Sequence, residues 1–346
     1  MLIVDCFGTP YEIGETHGRA ARAHIHRCIS FYTKVFMENS KRSWPEVKKL
    51  AEGFEQRIES SYPHYHEEIR GIAEGSGCGI LDIVALNVRT EIAFGLFSDG
   101  CTSLSWHGKT RAILGQNWDW RPEQKENLLI LRIKRDGDVP SIAMVTEAGI
   151  IGKIGLNSRG VGVCLNAILT KGCDQDRLPV HLGLRLALEC QSAAEAADRL
   201  EAVGMASSAH FLIADEKQAI GFEFTATTFE RLPMDANGCV VHANHLLGVH
   251  PGIDKKDWLE DSPWRMNTMN EQVADLAQKA DEPSLEEFTK PFCNEEKGPS
   301  AICRTCSKEG DSETLFNIVL DLNNQEGTVR LGKPVAVEEI VHLTCL

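Results

Sequence analysis

A layered α/β fold is what this sequence predicts, on three observations. Residues 11 to about 96 carry apolar side chains at three- and four-residue spacing, the helical period. From Cys101 onward the chain turns strand-rich. Between two sets of strands lie two amphipathic helical segments, Pro179 to Cys190 and Ala193 to Val203. Helices that cover the outer faces of stacked sheets produce that order.

The helical region divides into Tyr11 to Met37, Pro45 to Ala73 and Leu81 to Ala93, with Gly75, Gly77 and Gly79 interrupting between the last two. Cys101 to Trp106 and Arg111 to Trp120 read as a β-hairpin around His107-Gly108-Lys109-Thr110. Strands are then expected at Leu128 to Lys134, Ser141 to Val145 and Gly160 to Ala167, separated by Asp136-Gly137-Asp138 and Ser158-Arg159-Gly160. After the helical pair come Phe211 to Ala214, Ala219 to Phe224 and Cys239 to Asn244. The polar stretch from Asp254 to Lys308 reads as a surface excursion from the same domain. No repeat or low-complexity linker divides the chain, so one domain over residues 1–346 is expected.

Composition narrows the function. At 346 residues and 42% hydrophobic content the chain can bury a full core. Its net charge of −14 argues against nucleic acid or an anionic membrane as partner. No apolar run approaches the ~20 residues that span a bilayer, and Met1-Leu2-Ile3-Val4-Asp5 has no basic segment before an apolar one, so a cytoplasmic location is expected. Twelve cysteines scattered through a chain without secretory features are expected as reduced thiols. Cys303 and Cys306 form a C-x-x-C, with Cys293 upstream, but lack a second ligand pair or a thioredoxin-like context; incidental placement is preferred to a redox or metal role. The pairs His24/His26 and His64/His66 lie in charged helical sequence and read as solvated. No metal and no cofactor are expected.

Asp99-Gly100-Cys101-Thr102-Ser103 carries the chemistry. Cutting the Gly100-Cys101 bond would give Cys101 a free α-amino group, which titrates near ~7.7–8.0 against ~8.5 for a free thiol and can therefore accept the thiol proton. Nucleophile and base would then share one residue. Glycine suits the scissile position because it has no Cβ. Asp-Gly is also an ordinary turn dipeptide, so the motif alone reads first as a turn into a strand. The hairpin adds that Asn117 and Asp119 lie on the strand paired with the one Cys101 begins.

A cysteine opening a strand, with a carboxylate on its neighbour, resembles the N-terminal nucleophile hydrolases. Further blocks, in one order, sharpen the likeness: Gly8-Thr9-Pro10 with His17-Gly18, Glu67-Glu68-Ile69-Arg70-Gly71, Leu86-Asn87-Val88-Arg89-Thr90-Glu91, Gly115-Gln116-Asn117-Trp118-Asp119, Thr146-Glu147-Ala148-Gly149, Asn244-His245 and Ile302-Cys303-Arg304. The chain resembles the acyl-coenzyme A:6-aminopenicillanic acid acyltransferase family of self-cleaving cysteine amidases and acyltransferases. That resemblance implies a four-layer α-β-β-α sandwich, and a cut leaving a helical α-subunit (1–100) and a strand-rich β-subunit (101–346) bound as a heterodimer. It implies acyl transfer or hydrolysis through a Cys101 thioester. The substrates would be N-acyl amides, small amines such as 6-aminopenicillanic acid, and acyl-CoA as a possible co-substrate.

Within that frame Asp119 is expected to orient the terminal ammonium, and Asn244 to donate its NH₂ to the tetrahedral oxygen. Arg304 is expected to lower the thiol pKa or to grip a substrate carboxylate. Thr102 and Ser103 are expected beside the substrate. The alternatives are an exposed hairpin aspartate, a strand-end asparagine serving its own turn and a surface arginine. For His242 and His245, packing or substrate-side roles are expected. Two departures bear on substrate: Ser103 stands where the family has a second threonine, and Thr344-Cys345-Leu346 lacks the basic middle residue of an S-K-L signal. Both favour a cytoplasmic relative acting on other amides. A binding protein of low turnover is the alternative from another class.

Overall fold

The protein is described by a computed structural model covering residues 1–93, 100–253, 259–279, 282–308 and 310–346. Asp99, expected to precede the scissile glycine, lies outside the described residues. The first segment holds β1 (Leu2–Gly8), α1 (Pro10–Ala20), α2 (Arg22–Ser40), α3 (Trp44–Ser61), α4 (Pro63–Ser76), α5 (Ile80–Asn87) and α6 (Arg89–Ala93). Local chemistry sets several of these boundaries. Glu12 and Glu46 reach back to the amides of Thr9 and Ser43 at 2.8 and 2.7 Å, closing capping boxes at the starts of α1 and α3. The expected helix over Pro45 to Ala73 breaks at Tyr62 because Pro63 has no N–H to continue it and instead opens α4.

After the hairpin strands β2 (Gly100–His107) and β3 (Ala112–Trp120) come β4 (Leu128–Arg135), β5 (Ile142–Glu147), β6 (Ile154–Asn157) and β7 (Gly162–Ala167). Next are α7 (Val180–Leu188), α8 (Ala193–Val203), β8 (Ala209–Ala214), β9 (Ala219–Phe224), β10 (Phe229–Leu232) and β11 (Cys239–His242). The chain closes with α9 (Ser262–Lys279), α10 (Leu285–Thr289), β12 (Glu313–Asp321), β13 (Glu326–Lys333) and β14 (Ala336–Thr344).

Two sheets result, ordered β1-β4-β5-β6-β7-β8-β9-β10 and β11-β2-β3-β12-β13-β14. They face each other through β2 and β3 against β7, with α1, α7 and α8 on the first sheet and α9 and α10 on the second. This is the four-layer α-β-β-α sandwich. The strand β1, paired in parallel with β4, and the strands β12 to β14 have no counterpart among the segments read from the sequence. The polar stretch after Asp254, read as a surface excursion, contains the 18-residue helix α9. Among the described residues, no helix is long and apolar enough to cross a membrane.

Residues on both sides of Gly100 share one core. Val4, Ile25, Tyr32 and Leu86 cluster with Cys101, Trp118, Met144 and Phe211. Buried charges cross the same divide: Arg185 donates to both oxygens of Glu68 at 2.9 and 2.8 Å, and Glu147 accepts from Arg89 at 2.5 Å and from Lys153 at 2.6 Å. Helices α1 and α4 touch backbone to backbone, since a Cβ on Gly14 would lie 1.9 Å from the Glu68 carbonyl oxygen. His66, expected in solvent, is buried and lies 2.8 Å from Glu55.

Arg185→Ala leaves the Glu68 carboxylate buried without its cation. Breaking such a pair typically costs about 3–5 kcal/mol, so a denaturant titration should show a large drop in stability. A loss below about 1 kcal/mol, the range of exposed pairs, would contradict this account of how the two segments are joined.

Candidate active site

The hairpin sets the frame of the site. Its register pairs Gly100 with Asp119, Cys101 with Trp118, Thr102 with Asn117 and Ser103 with Gln116. Side chains alternate along a strand, so Cys101 and Ser103 face the interior between the sheets while Thr102 and Asp119 face the layer that holds α9. Cys101 is fully buried, opposite Trp118, over whose ring the Lys153 ammonium lies at 4.1 Å.

Both ends of the Cys101 residue are gripped. Its N–H donates to Asn244 Oδ1 at 3.0 Å, and its carbonyl oxygen accepts from Arg265 Nη1 at 2.7 Å. Arg265 also donates to Thr102 Oγ1 at 3.0 Å and, through Nη2, to Asn244 Oδ1 at 2.7 Å. Because an arginine can only donate, this contact fixes which end of the Asn244 amide faces Cys101. The opposite end, Nδ2, donates to the Ala167 carbonyl at 3.0 Å. Asn244 thus turns its oxygen to the Cys101 nitrogen and gives one amide hydrogen to the backbone, which leaves the second Nδ2 hydrogen for the expected role of donor to a tetrahedral oxygen.

Arg304 and Asp119 sit over the glycine. A Cβ built on Gly100 would fall 2.7 Å from Arg304 Nε and 2.9 Å from Asp119 Oδ2. Arg304 Nε and Asp119 Oδ2 are 3.1 Å apart, yet among the described residues neither atom has a hydrogen-bond partner, so the two groups face each other without a well-aligned bond. Asp119 Oδ1 accepts from Thr314 Oγ1 at 2.7 Å. Asp261 joins the two cations, accepting from Arg304 Nη2 at 2.5 Å and from Arg265 Nη2 at 3.2 Å. Burial pushes the Asp119 carboxyl up to about 7 against the pull of Arg304 and Arg265, and burial together with Arg304 lowers the pKa of Arg265.

Four of the expected residues, Cys101, Asp119, Asn244 and Arg304, are therefore brought together, with Gly100 between them. Thr102 anchors Arg265 and turns away from the face of the Cys101 side chain; Ser103 shares that face and donates to Asn166 Oδ1 at 2.7 Å. Sequence reading missed Asp261 and Arg265, and it took Thr314 only as the start of the block Thr314-Leu315-Phe316-Asn317-Ile318-Val319, with no role at the site. The signal for the first two was Asp261-Ser262-Pro263, an acid, a helix-capping residue and a proline in series, which marks a helix start and sets Asp261 and Arg265 one turn apart.

Known proteins share this chain's pattern. That of the family described as acyl-coenzyme A:6-aminopenicillanic acid acyl-transferase matches residues 106–336. A protein of Emericella nidulans, the acyl-coenzyme A:6-aminopenicillanic-acid-acyltransferase 40 kDa form, is 41% identical over 350 residues, covering 99% of this chain and 96% of its own. The chain belongs to the acyl-coenzyme A:6-aminopenicillanic acid acyltransferase family. It is an enzyme of the acyltransferase kind. Two solved structures of the conjugated bile acid hydrolase from Clostridium perfringens, each of a single-residue variant, share the fold: an alanine mutant with TM-score 0.51 at 13% identity, and a leucine variant with TM-score 0.50 at 14%. Each covers 70% of this chain, and the matches span 91% and 92% of those chains.

Two outcomes follow from this geometry. In a Cys101→Ala background, adding Gly100→Ala forces a methyl against the Arg304-Asp119 pair, an overpacking typically worth about 1–3 kcal/mol; a denaturant midpoint unmoved by the second change would show that the pair does not press on Gly100. The second outcome concerns pH. The folded chain keeps the Asp119 proton up to about 7 while the unfolded chain releases it near its ordinary 3.8, so this group makes stability fall as pH rises between those values. Unfolding titrations across that window should show a flatter slope for Asp119→Asn, and an unchanged slope would contradict the assignment.

Proposed function

We propose that this enzyme activates itself by cutting the Gly100-Cys101 bond and then moves acyl groups through a thioester at Cys101. The observation that carries the proposal is the double grip on Cys101, Asn244 on its nitrogen and Arg265 on its carbonyl, with the Arg304-Asp119 pair seated on Gly100. That arrangement holds the two peptide units on either side of the Cys101 Cα against rotation, and orientation of this kind lowers a barrier by removing the entropy of approach.

In the cut, the Cys101 sulfur bonds to the Gly100 carbonyl carbon, the carbon–nitrogen bond breaks, and the thiol proton ends on the Cys101 nitrogen. Water then hydrolyses the thioester, which returns the thiol and leaves Gly100 with a carboxylate. Asn244 Oδ1, the acceptor for the Cys101 amide, becomes the acceptor for the new amine. In turnover that amine takes the thiol proton, the sulfur bonds to a substrate carbonyl carbon, and the leaving group departs with the proton. A second amine or water attacks the thioester in turn. Asn244 Nδ2 carries two hydrogens; Ala167 takes one, and the other is assigned to the tetrahedral oxygen. The shared core keeps residues 1–100 bound to 101–346 as a heterodimer after the cut.

The substrates proposed are an acyl-CoA or an N-acyl compound as donor and a small amine such as 6-aminopenicillanic acid as acceptor, in keeping with the name of the Emericella relative. The processed enzyme should therefore gain the mass of an acyl group on Cys101 after brief exposure to an acyl-CoA, and 6-aminopenicillanic acid should divert that group from water. If no acyl-Cys101 forms and no amine captures an acyl group while N-acyl compounds are still hydrolysed, the enzyme is an amidohydrolase alone.

A further inference from the structure

A second buried polar cluster lies one step along the interior face from Cys101, and the reaction scheme leaves it unused. Its centre is Glu223 on β9, whose carboxylate accepts four donors. Oε1 takes His242 Nε2 at 2.8 Å and the Leu247 amide at 2.7 Å; Oε2 takes the Gly248 amide at 2.8 Å and His250 Nε2 at 3.1 Å. All four come from residues 242–250, the segment that carries Asn244.

The chemistry of the cluster is specific to a carboxylate. His242 Nδ1 lies 2.8 Å from the Ala243 carbonyl and Nε2 2.8 Å from Glu223. Both partners are acceptors, so the His242 ring bridges the Ala243 carbonyl and the Glu223 carboxylate. The ring stacks on His210, 3.6 Å between centroids and 11° between planes. His210 Nδ1 in turn lies 3.0 Å from Asn166 Oδ1, the acceptor for Ser103. Burial alone would raise the Glu223 carboxyl, but His242 and the two amides bring it down to about 2. A glutamine at this position would point its NH₂ at two of the four donors.

We propose that Glu223 is a positioning residue for Asn244: it clamps residues 242–250 so that Asn244 Oδ1 meets the Cys101 nitrogen. The proposal rests on the reading that Asn244 serves Cys101. The same nitrogen is the amide of the scissile bond before the cut and the amine afterwards, so the clamp acts on both self-cleavage and turnover.

The test compares Glu223→Gln, Glu223→Asp, Asn244→Ala and the Glu223→Gln/Asn244→Ala double variant as purified full chains, following cleavage on denaturing gels and, after processing, kcat and KM. Glu223→Gln should slow cleavage and lower kcat by about tenfold or more with KM changed less than about threefold, and Glu223→Asp, which keeps the charge, should recover part of the loss. In the Asn244→Ala background Glu223→Gln should add less than about twofold, because residues acting through one contact are not additive. If Asn244→Ala is impaired while Glu223→Gln is not, the clamp is overturned and the Asn244 reading stands. Full additivity also overturns the clamp, whereas an unimpaired Asn244→Ala overturns the reading beneath it. Should Glu223→Gln fail to fold, His250→Ala removes one donor only and should lower kcat about threefold in the same direction; wild-type kcat there overturns the proposal.

Discussion

A guanidinium taken wholly out of water must find acceptors for its hydrogens, and Arg265 finds them on the Cys101 carbonyl, Thr102, Asn244 and Asp261. The site depends on that requirement. Arginine cannot shed its proton to escape the cost of burial, so its partners are held wherever the helix α9 puts it, and Cys101 is held with them. Arg304 repeats the arrangement one residue earlier, with Asp119, Asp261 and the Pro299 carbonyl around it. Two cations and two carboxylates then balance around a backbone bond that a side chain on Gly100 would crowd.

The sequence made Cys101 and its neighbours legible because hairpin geometry is local. Cys101 and Asp119 lie on adjacent strands joined by four residues, so alternation and pairing are enough to bring them near each other. Asn244 and Arg304 were reached only through family blocks, since nothing local ties a residue 143 positions from Cys101 to its amide. Arg265 and Asp261 were missed because a polar stretch looks like a loop until its helix start is noticed. The strands β12 to β14 were passed over as separate elements, although β12 pairs with β3 and delivers Thr314 to Asp119. The contact of Asn244 Oδ1 with the Cys101 amide was not legible for a reason outside sequence altogether: which end of an amide faces a neighbour depends on whether that neighbour donates or accepts.

The same logic of donors and acceptors organises the join between the two segments. Glu147 sits at the bottom of the interior face, ringed by Arg89 from α6, Lys153, Gln124 and the Tyr32 hydroxyl. Arg89 and Tyr32 come from before Gly100, the others from after it. A bond cut at Gly100 leaves these contacts in place, because none of them runs through the peptide that would be lost. The chain is thus built so that its backbone can be opened at Cys101 without releasing the helices that cover it.

Whether Cys101 becomes an N-terminus is the point on which the whole account turns, and intact mass spectrometry of the purified protein measures it directly. The account predicts two masses, matching residues 1–100 and 101–346, with Cys101 first in the larger fragment, and a single uncut mass for Cys101→Ala. A wild-type chain that remains whole while showing full acyl-transfer or amidase activity would contradict it.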